Sequence, residues 1–93
     1  MKDLLELRAE IDRLDEEWLS ILAKRFAATR EVGRLKATGA LPSIDPSREA
    51  EQEARLRSLA EKYGVSPDLA HDVLRLIIGE VVTEHEAAKR PHE

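Results

Sequence analysis

Apolar or weakly polar positions recur at Leu4, Leu7, Ile11, Leu14, Trp18, Ile21, Leu22, Phe26, Thr29, Val32 and Leu35. The steps are three and four residues almost throughout, which is the stripe of one helical face. From Asp3 to Thr38 there is no proline, and Gly33 is the one glycine. A single glycine costs a helix only about 1 kcal/mol, and Glu31, Arg34, Leu35 and Lys36 around it all suit a helix. The spacing therefore predicts an unbroken helix over residues 3–38, roughly 50 Å long. A compact chain of this size is only about 30 Å across. Such a helix either breaks at Gly33 or has its stripe covered by a second chain. The pattern favours the second outcome, an oligomer.

Thr38-Gly39-Ala40-Leu41-Pro42-Ser43 reads as a loop, with Gly39 as a helix stop and Pro42 barring continuation. Asp45 then has the place of an N-cap and Pro46 that of the first helical residue. A second helix is expected over 46–63, with Ala50, Ala54, Leu56 and Leu59 facing inward. Ser66-Pro67-Asp68 repeats the cap-plus-proline signal after Gly64. A third helix over 67–88 carries Leu69, Val73, Leu74, Leu76, Ile77, Ile78, Val81 and Val82, and residues 89–93 form a frayed tail. No strand pattern or internal repeat appears. The expected fold is all-α, a single domain over residues 1–93 with three helices, the first very long.

Composition narrows the function. The 93 residues include no cysteine, so there is no disulfide framework, thiol nucleophile or thiolate metal site. Apolar runs are far shorter than the roughly 20 residues of a membrane span. The start, Met1-Lys2-Asp3-Leu4, lacks the apolar core of a signal peptide, so a cytoplasmic protein is expected. Lys and Arg number 15 against 19 Asp and Glu, a net charge of −4, which argues against nucleic-acid binding. No histidine–carboxylate spacing suits a metal, and no nucleophile elbow, phosphate loop or dinucleotide fingerprint is present. Neither metal nor cofactor is expected.

The remaining chemistry lies in cations. Arg25 and Lys36, eleven residues apart, return to within about 20° on a helix and share a face. Arg8 points about 100° away and sits roughly 25 Å from Arg25 along the axis, so the two cannot grip one small ligand within a chain. Two antiparallel chains would bring Arg8 of one beside Arg25 of the other. Each cation taken alone is also explained as a solvated charge or a snorkelling stem. Arg48 and Glu49 read equally as a surface pair. Asp45 has a sufficient task as a cap, and His85 suits a packed position on the apolar side of the third helix. His71 and His92 read as surface residues.

Together these residues resemble the all-α chorismate mutases. Leu7-Arg8-Ala9-Glu10-Ile11-Asp12-Arg13-Leu14-Asp15 is similar to the family's opening L-R-x-x-I-x-x-L-D. Arg25 followed by Glu31-Val32-Gly33-Arg34-Leu35-Lys36 resembles R…E-V-G-x-x-K. Asp45-Pro46-Ser47-Arg48-Glu49 resembles D-x-x-R-E, and Leu76-Ile77-Ile78 resembles the family's L-I-I, with His85 where a glutamine usually follows. The likeness spans Leu4 to Ala88 without a gap.

The resemblance implies an intertwined homodimer of three-helix chains that rearranges chorismate to prephenate in aromatic amino-acid biosynthesis. Arg8, crossing from the partner, and Arg25 would each hold a carboxylate of the dianionic substrate. Lys36 would donate to the ether oxygen, Arg48 would add positive charge, and Glu49 with the backbone at Asp45 would bind the ring hydroxyl. Two departures stand out. Val81 replaces a serine of many relatives and removes one carboxylate hydrogen bond. His85 in place of glutamine would be a second ether-oxygen donor, stronger when protonated. The resemblance leaves sister activities open, isochorismate pyruvate lyase and 4-amino-4-deoxychorismate mutase. A non-catalytic helical dimer is the reading from another class. With no separate regulatory domain in view, the candidate regulatory partner is another shikimate-pathway enzyme.

Overall fold

The computed structural model describes residues 1–38 and 45–89. Helix α1 spans Leu4–Thr38, α2 Pro46–Tyr63 and α3 Pro67–Lys89, and the described residues contain no strand. The chain measures 56 × 31 × 16 Å, its long dimension close to the length of α1 alone. The helix runs through Gly33 without a break. Of the expected loop 38–43, Thr38 still belongs to α1 and residues 39–43 lie outside the described residues, as do Ile44 and residues 90–93 of the expected tail.

Each helix starts where local chemistry satisfies its free N–H groups. Asp3 is left as the cap of α1, its Oδ1 accepting from the Glu6 N–H at 2.9 Å, so the helix begins one residue later than expected. Asp45 caps α2 in extended backbone and accepts from the Arg48 N–H at 3.2 Å, with Pro46 behind it. Ser66 Oγ accepts from the Leu69 N–H at 3.3 Å at the start of α3, which ends one residue later than expected. Between α2 and α3 the chain reverses at Gly64, whose φ of 71° is left-handed. The Val65 N–H bonds back to the Ala60 carbonyl at 2.8 Å, closing the last turn of α2.

Helix α3 lies between the other two, packing on both α2 and the C-terminal part of α1. Leu74 is fully enclosed and Ala60 nearly so, and they are the buried side chains among the described residues. The inward face of α2 is offset from the expected one. Leu56, Leu59 and Ala60 turn toward α3, whereas Ala50 and Ala54 are exposed. The face is set by the series Gln52, Leu56, Leu59 and Ala60, and Ala50 and Ala54 fall on the other side of the cylinder.

Every residue from Met1 to Ile21 is exposed except half-buried Glu10. The stripe there is bare: Ile11 is 55% exposed, Leu14 51% and Trp18 53%. The polar contacts of this half stay within the helix and its approach, with Lys2 on Glu10 at 2.5 Å and the Trp18 indole donating to Asp15 at 3.1 Å.

Candidate functional site

Each of the three helices contributes one stripe to a single cavity of about 320 Å³. From α1 come Arg25 and, three, four, seven and eleven residues on, Ala28, Thr29, Val32 and Lys36. From α2 and its cap come Asp45, Arg48, Glu49 and Gln52. From α3 come Ile78, Val81, Val82 and His85. In each case the i, i+3, i+4, i+7 spacing puts the side chains on one face. The volume lies at the small end of the range for small-molecule sites.

Seven of the eight residues singled out from the sequence line this cavity: Arg25, Lys36, Asp45, Arg48, Glu49, Val81 and His85. Arg8 does not, since it stands in the exposed half of α1. Arg48 and Glu49 do not pair with each other. Arg48 reaches Glu51 at 3.2 Å along its own helix, and Glu49 is held from α3 by Arg75 at 3.1 Å. His71 also departs from its expected place at the surface. It is half-buried, and its Nδ1 donates to Glu53 at 2.5 Å between α3 and α2.

The polar wall sets three cations, Arg25, Lys36 and Arg48, against two acids, Asp45 and Glu49. Partial burial and the neighbouring Arg48 guanidinium pull Arg25 below its ordinary value, although an arginine stays charged at neutral pH. Two like charges facing one space are relieved by a ligand of opposite charge. Arg25 Nη2 donates to the Gln52 amide oxygen at 2.6 Å, a neutral partner that orients the guanidinium without cancelling it. Lys36 makes no ion pair among the described residues. The two acids of the cavity are already engaged, Asp45 as a cap and Glu49 with Arg75.

His85 sits against α1 through a gap left by Gly33. A Cβ on Gly33 would lie 2.5 Å from His85 Nε2 and 2.7 Å from Cδ2, so only glycine admits the ring in this position. There Nε2 meets the Thr29 carbonyl at 3.1 Å. A carbonyl only accepts, so Nε2 carries the proton and the neutral ring keeps a lone pair on Nδ1. Arg30 and Glu84, paired at 2.9 Å, tie α1 to α3 beside this contact.

Gln52 and Arg75 were not singled out from the sequence, Thr29 entered only as part of the apolar stripe, and Gly33 only as a possible helix break and within the E-V-G-x-x-K likeness. Gln52 follows Arg48 and Glu49 by four and three residues, a spacing that marks it as a wall residue once those two are chosen. Nothing local ties Gly33 to His85 or Arg75 to Glu49, because these partners stand on other helices.

Three convergent helices, facing cations and apolar walls define an all-helical protein with a small-molecule cavity. Among the described residues no group of three or more acids and histidines gathers as a metal site, and no helix is long and apolar enough to cross a membrane. The chain matches the chorismate mutase type II family over residues 7–86 and belongs to it. It is 44% identical to the T-protein of Enterobacter agglomerans over 81 residues, 87% of this chain and 22% of that protein. It is 45% identical to a bifunctional chorismate mutase/prephenate dehydratase of Aquifex aeolicus over 65 residues, 69% of this chain and 18% of that one. A chorismate mutase of Methanocaldococcus jannaschii is 27% identical over 78 residues, 84% of this chain and 79% of that protein. The chain thus spans about a fifth of the length of the T-protein relatives it matches.

Proposed function

We propose that the chain is a chorismate mutase, converting chorismate to prephenate in the cytoplasm as a step of aromatic amino-acid biosynthesis. The observation that carries this reading is the convergence of Arg25, Lys36, Arg48, Glu49 and His85 from three helices on one cavity. The family and the relatives named for this activity support it.

The reaction is a concerted shift in which the ether C–O bond breaks as a new C–C bond forms. No nucleophile or proton carrier takes part, so the protein must fold a flexible dianion into its reactive chair. It must also stabilise the negative charge that grows on the ether oxygen. Arg25, fixed by Gln52, takes one carboxylate in a forked contact that a lysine could not reproduce. Lys36 donates to the ether oxygen. Glu49 and the backbone at Asp45 receive the ring hydroxyl, and Arg48 adds positive charge. Ile78, Val81 and Val82 supply an apolar wall that keeps these charges effective.

His85 is the second ether-oxygen donor. Its Nε2–H, held here by the Thr29 carbonyl, is the donor that the substrate would take. His85→Gln retains a donor, whereas His85→Leu removes it and is expected to lower kcat about tenfold; a full rate in His85→Leu rejects the assignment.

The second carboxylate falls to Arg8 of the partner subunit in an intertwined homodimer. The bare stripe of Ile11, Leu14 and Trp18 supports this arrangement, since large apolar faces of this kind mark an interface. The candidate further partner is a shikimate-pathway enzyme.

Incubation with chorismate, acidification and reading of phenylpyruvate absorbance test the activity, and sedimentation tests the dimer. Turnover by a two-chain species is expected. No product from chorismate, with pyruvate released from isochorismate instead, would reject the mutase reading in favour of the lyase on the same fold.

A further inference from the structure

Arg75 stands outside the cavity yet governs one of its walls. It lies on α3, one turn before the cavity residue Ile78, and its Nη1 donates to Glu49 Oε1 at 3.1 Å. The Glu49 side chain is only 19% exposed, so its rotamer is closely held, whereas Arg75 is 43% exposed and reaches it from the solvent side. The alternative cation, Arg48, is turned toward Glu51. Arg75 is therefore the charge partner of Glu49, and Oε2 has no hydrogen bond among the described residues.

We propose that Arg75 positions Glu49 and selects a neutral hydroxyl over an ammonium at the ring position that Glu49 receives. The proposal rests on the mutase reading above. A hydroxyl needs one oriented acceptor and brings no charge, so a carboxylate already shared with a guanidinium serves it fully. An ammonium brings a positive charge to the same carboxylate, where it meets the Arg75 guanidinium across a few ångströms as well as Arg48 in the cavity wall. Like charges at such separations disfavour each other even near a protein surface. Arg75 is a positioning residue, since it acts through Glu49 and does not line the cavity.

The test compares two ligands on the full chain. KM and kcat are measured for chorismate, and the inhibition constant is measured for 4-amino-4-deoxychorismate as competitor. Arg75→Gln keeps a neutral hydrogen-bond donor beside Glu49 and removes the charge. The preference for hydroxyl over ammonium is expected to shift by about tenfold toward the amine. KM for chorismate is expected to rise about threefold while kcat changes less. Arg75→Lys retains the charge, and its preference is expected to stay near that of the parent. A purely structural tie between α2 and α3 would weaken both ligands equally and lower the unfolding midpoint. An unchanged ratio in Arg75→Gln, or an amine bound by neither protein while chorismate is turned over, overturns the assignment and leaves the mutase reading intact. A parent chain that neither binds nor turns over chorismate overturns both.

Discussion

The two ends of α1 differ in charge and in situation: residues 4–21 hold six acids and two cations, residues 25–38 one acid and four cations. From Arg25 onward the helix packs on α3 and supplies a wall of the cavity, with Arg25 bonded to Gln52 and Thr29 to His85. From Met1 to Ile21 it carries an equally regular apolar stripe with nothing on it. Among the described residues the three helices enclose one leucine and one alanine, a small core for a domain of this size. The bare stripe is thus the larger reserve of burial, and the proposed dimer is where it would be used. The same comparison bears on the cations: Arg25 is placed by its own chain, and Arg8 would take its proposed role only through another.

The largest effects should come from the arginines at the two ends. Arg25→Ala and Arg8→Ala are each expected to lower kcat/KM by about a thousandfold, roughly 4 kcal/mol of transition-state stabilisation, without moving the unfolding midpoint. Mixing the two inactive variants breaks or confirms the shared site. Random exchange makes half the dimers mixed, each with one whole site, so about a quarter of the parent activity should return. No recovery after exchange would show that the two ends serve one chain.

A charge in the bare stripe tests the other side of the comparison. Leu14→Asp should cost about 3 kcal/mol or more per chain by desolvating a carboxylate at the interface. Sedimentation should show loss of the dimer, and activity should become concentration-dependent. In a chain that works alone, the same substitution at a 51% exposed site would be nearly silent.

Gly33→Ala gives a smaller effect confined to the packed half. The added Cβ meets His85 Nε2 at 2.5 Å and displaces the ring, while alanine improves helix propensity by about 1 kcal/mol. Turnover is expected to fall about tenfold, with the midpoint of unfolding unchanged or raised. A full rate would show that His85 acts from another position.

The smallest expected effect separates the α2–α3 hairpin from the site. The hydrogen bond from His71 holds the Glu53 carboxyl below the usual carboxylate range. The stability it provides is complete above the ordinary value of an unfolded carboxyl and is lost as pH falls through the lowered folded one. The unfolding midpoint should therefore drop between about pH 5 and pH 3, and Glu53→Gln should flatten that slope without changing turnover at neutral pH.

Much of this was legible locally. The i, i+3, i+4 stripes marked all three helices, and Asp45, Pro46, Gly64 and Ser66 marked their ends, because caps and periodicity are properties of neighbouring residues. The cavity-lining residues follow the same rule, so Gln52 was within reach. His71 was misplaced at the surface because its partner Glu53 is on another helix. Ala50 and Ala54 were turned inward because alanine marks no face by itself; the register was set by Gln52, Leu56 and Ala60 against α3.

The amino-acid sequence by itself determined three helices, a first helix longer than a compact chain is wide, and a cation inventory without a nucleophile. These follow from backbone hydrogen bonding, side-chain period and charge, all short-range. Only the tertiary structure decided that Arg48 turns to Glu51 and leaves Glu49 to Arg75, and that His85 fits where Gly33 has no side chain. The contacts of Glu49 with Arg75 and of Gly33 with His85 join residues tens of positions apart, and which of several equivalent charges meets which is settled by how the helices pack, not by the order in which they occur.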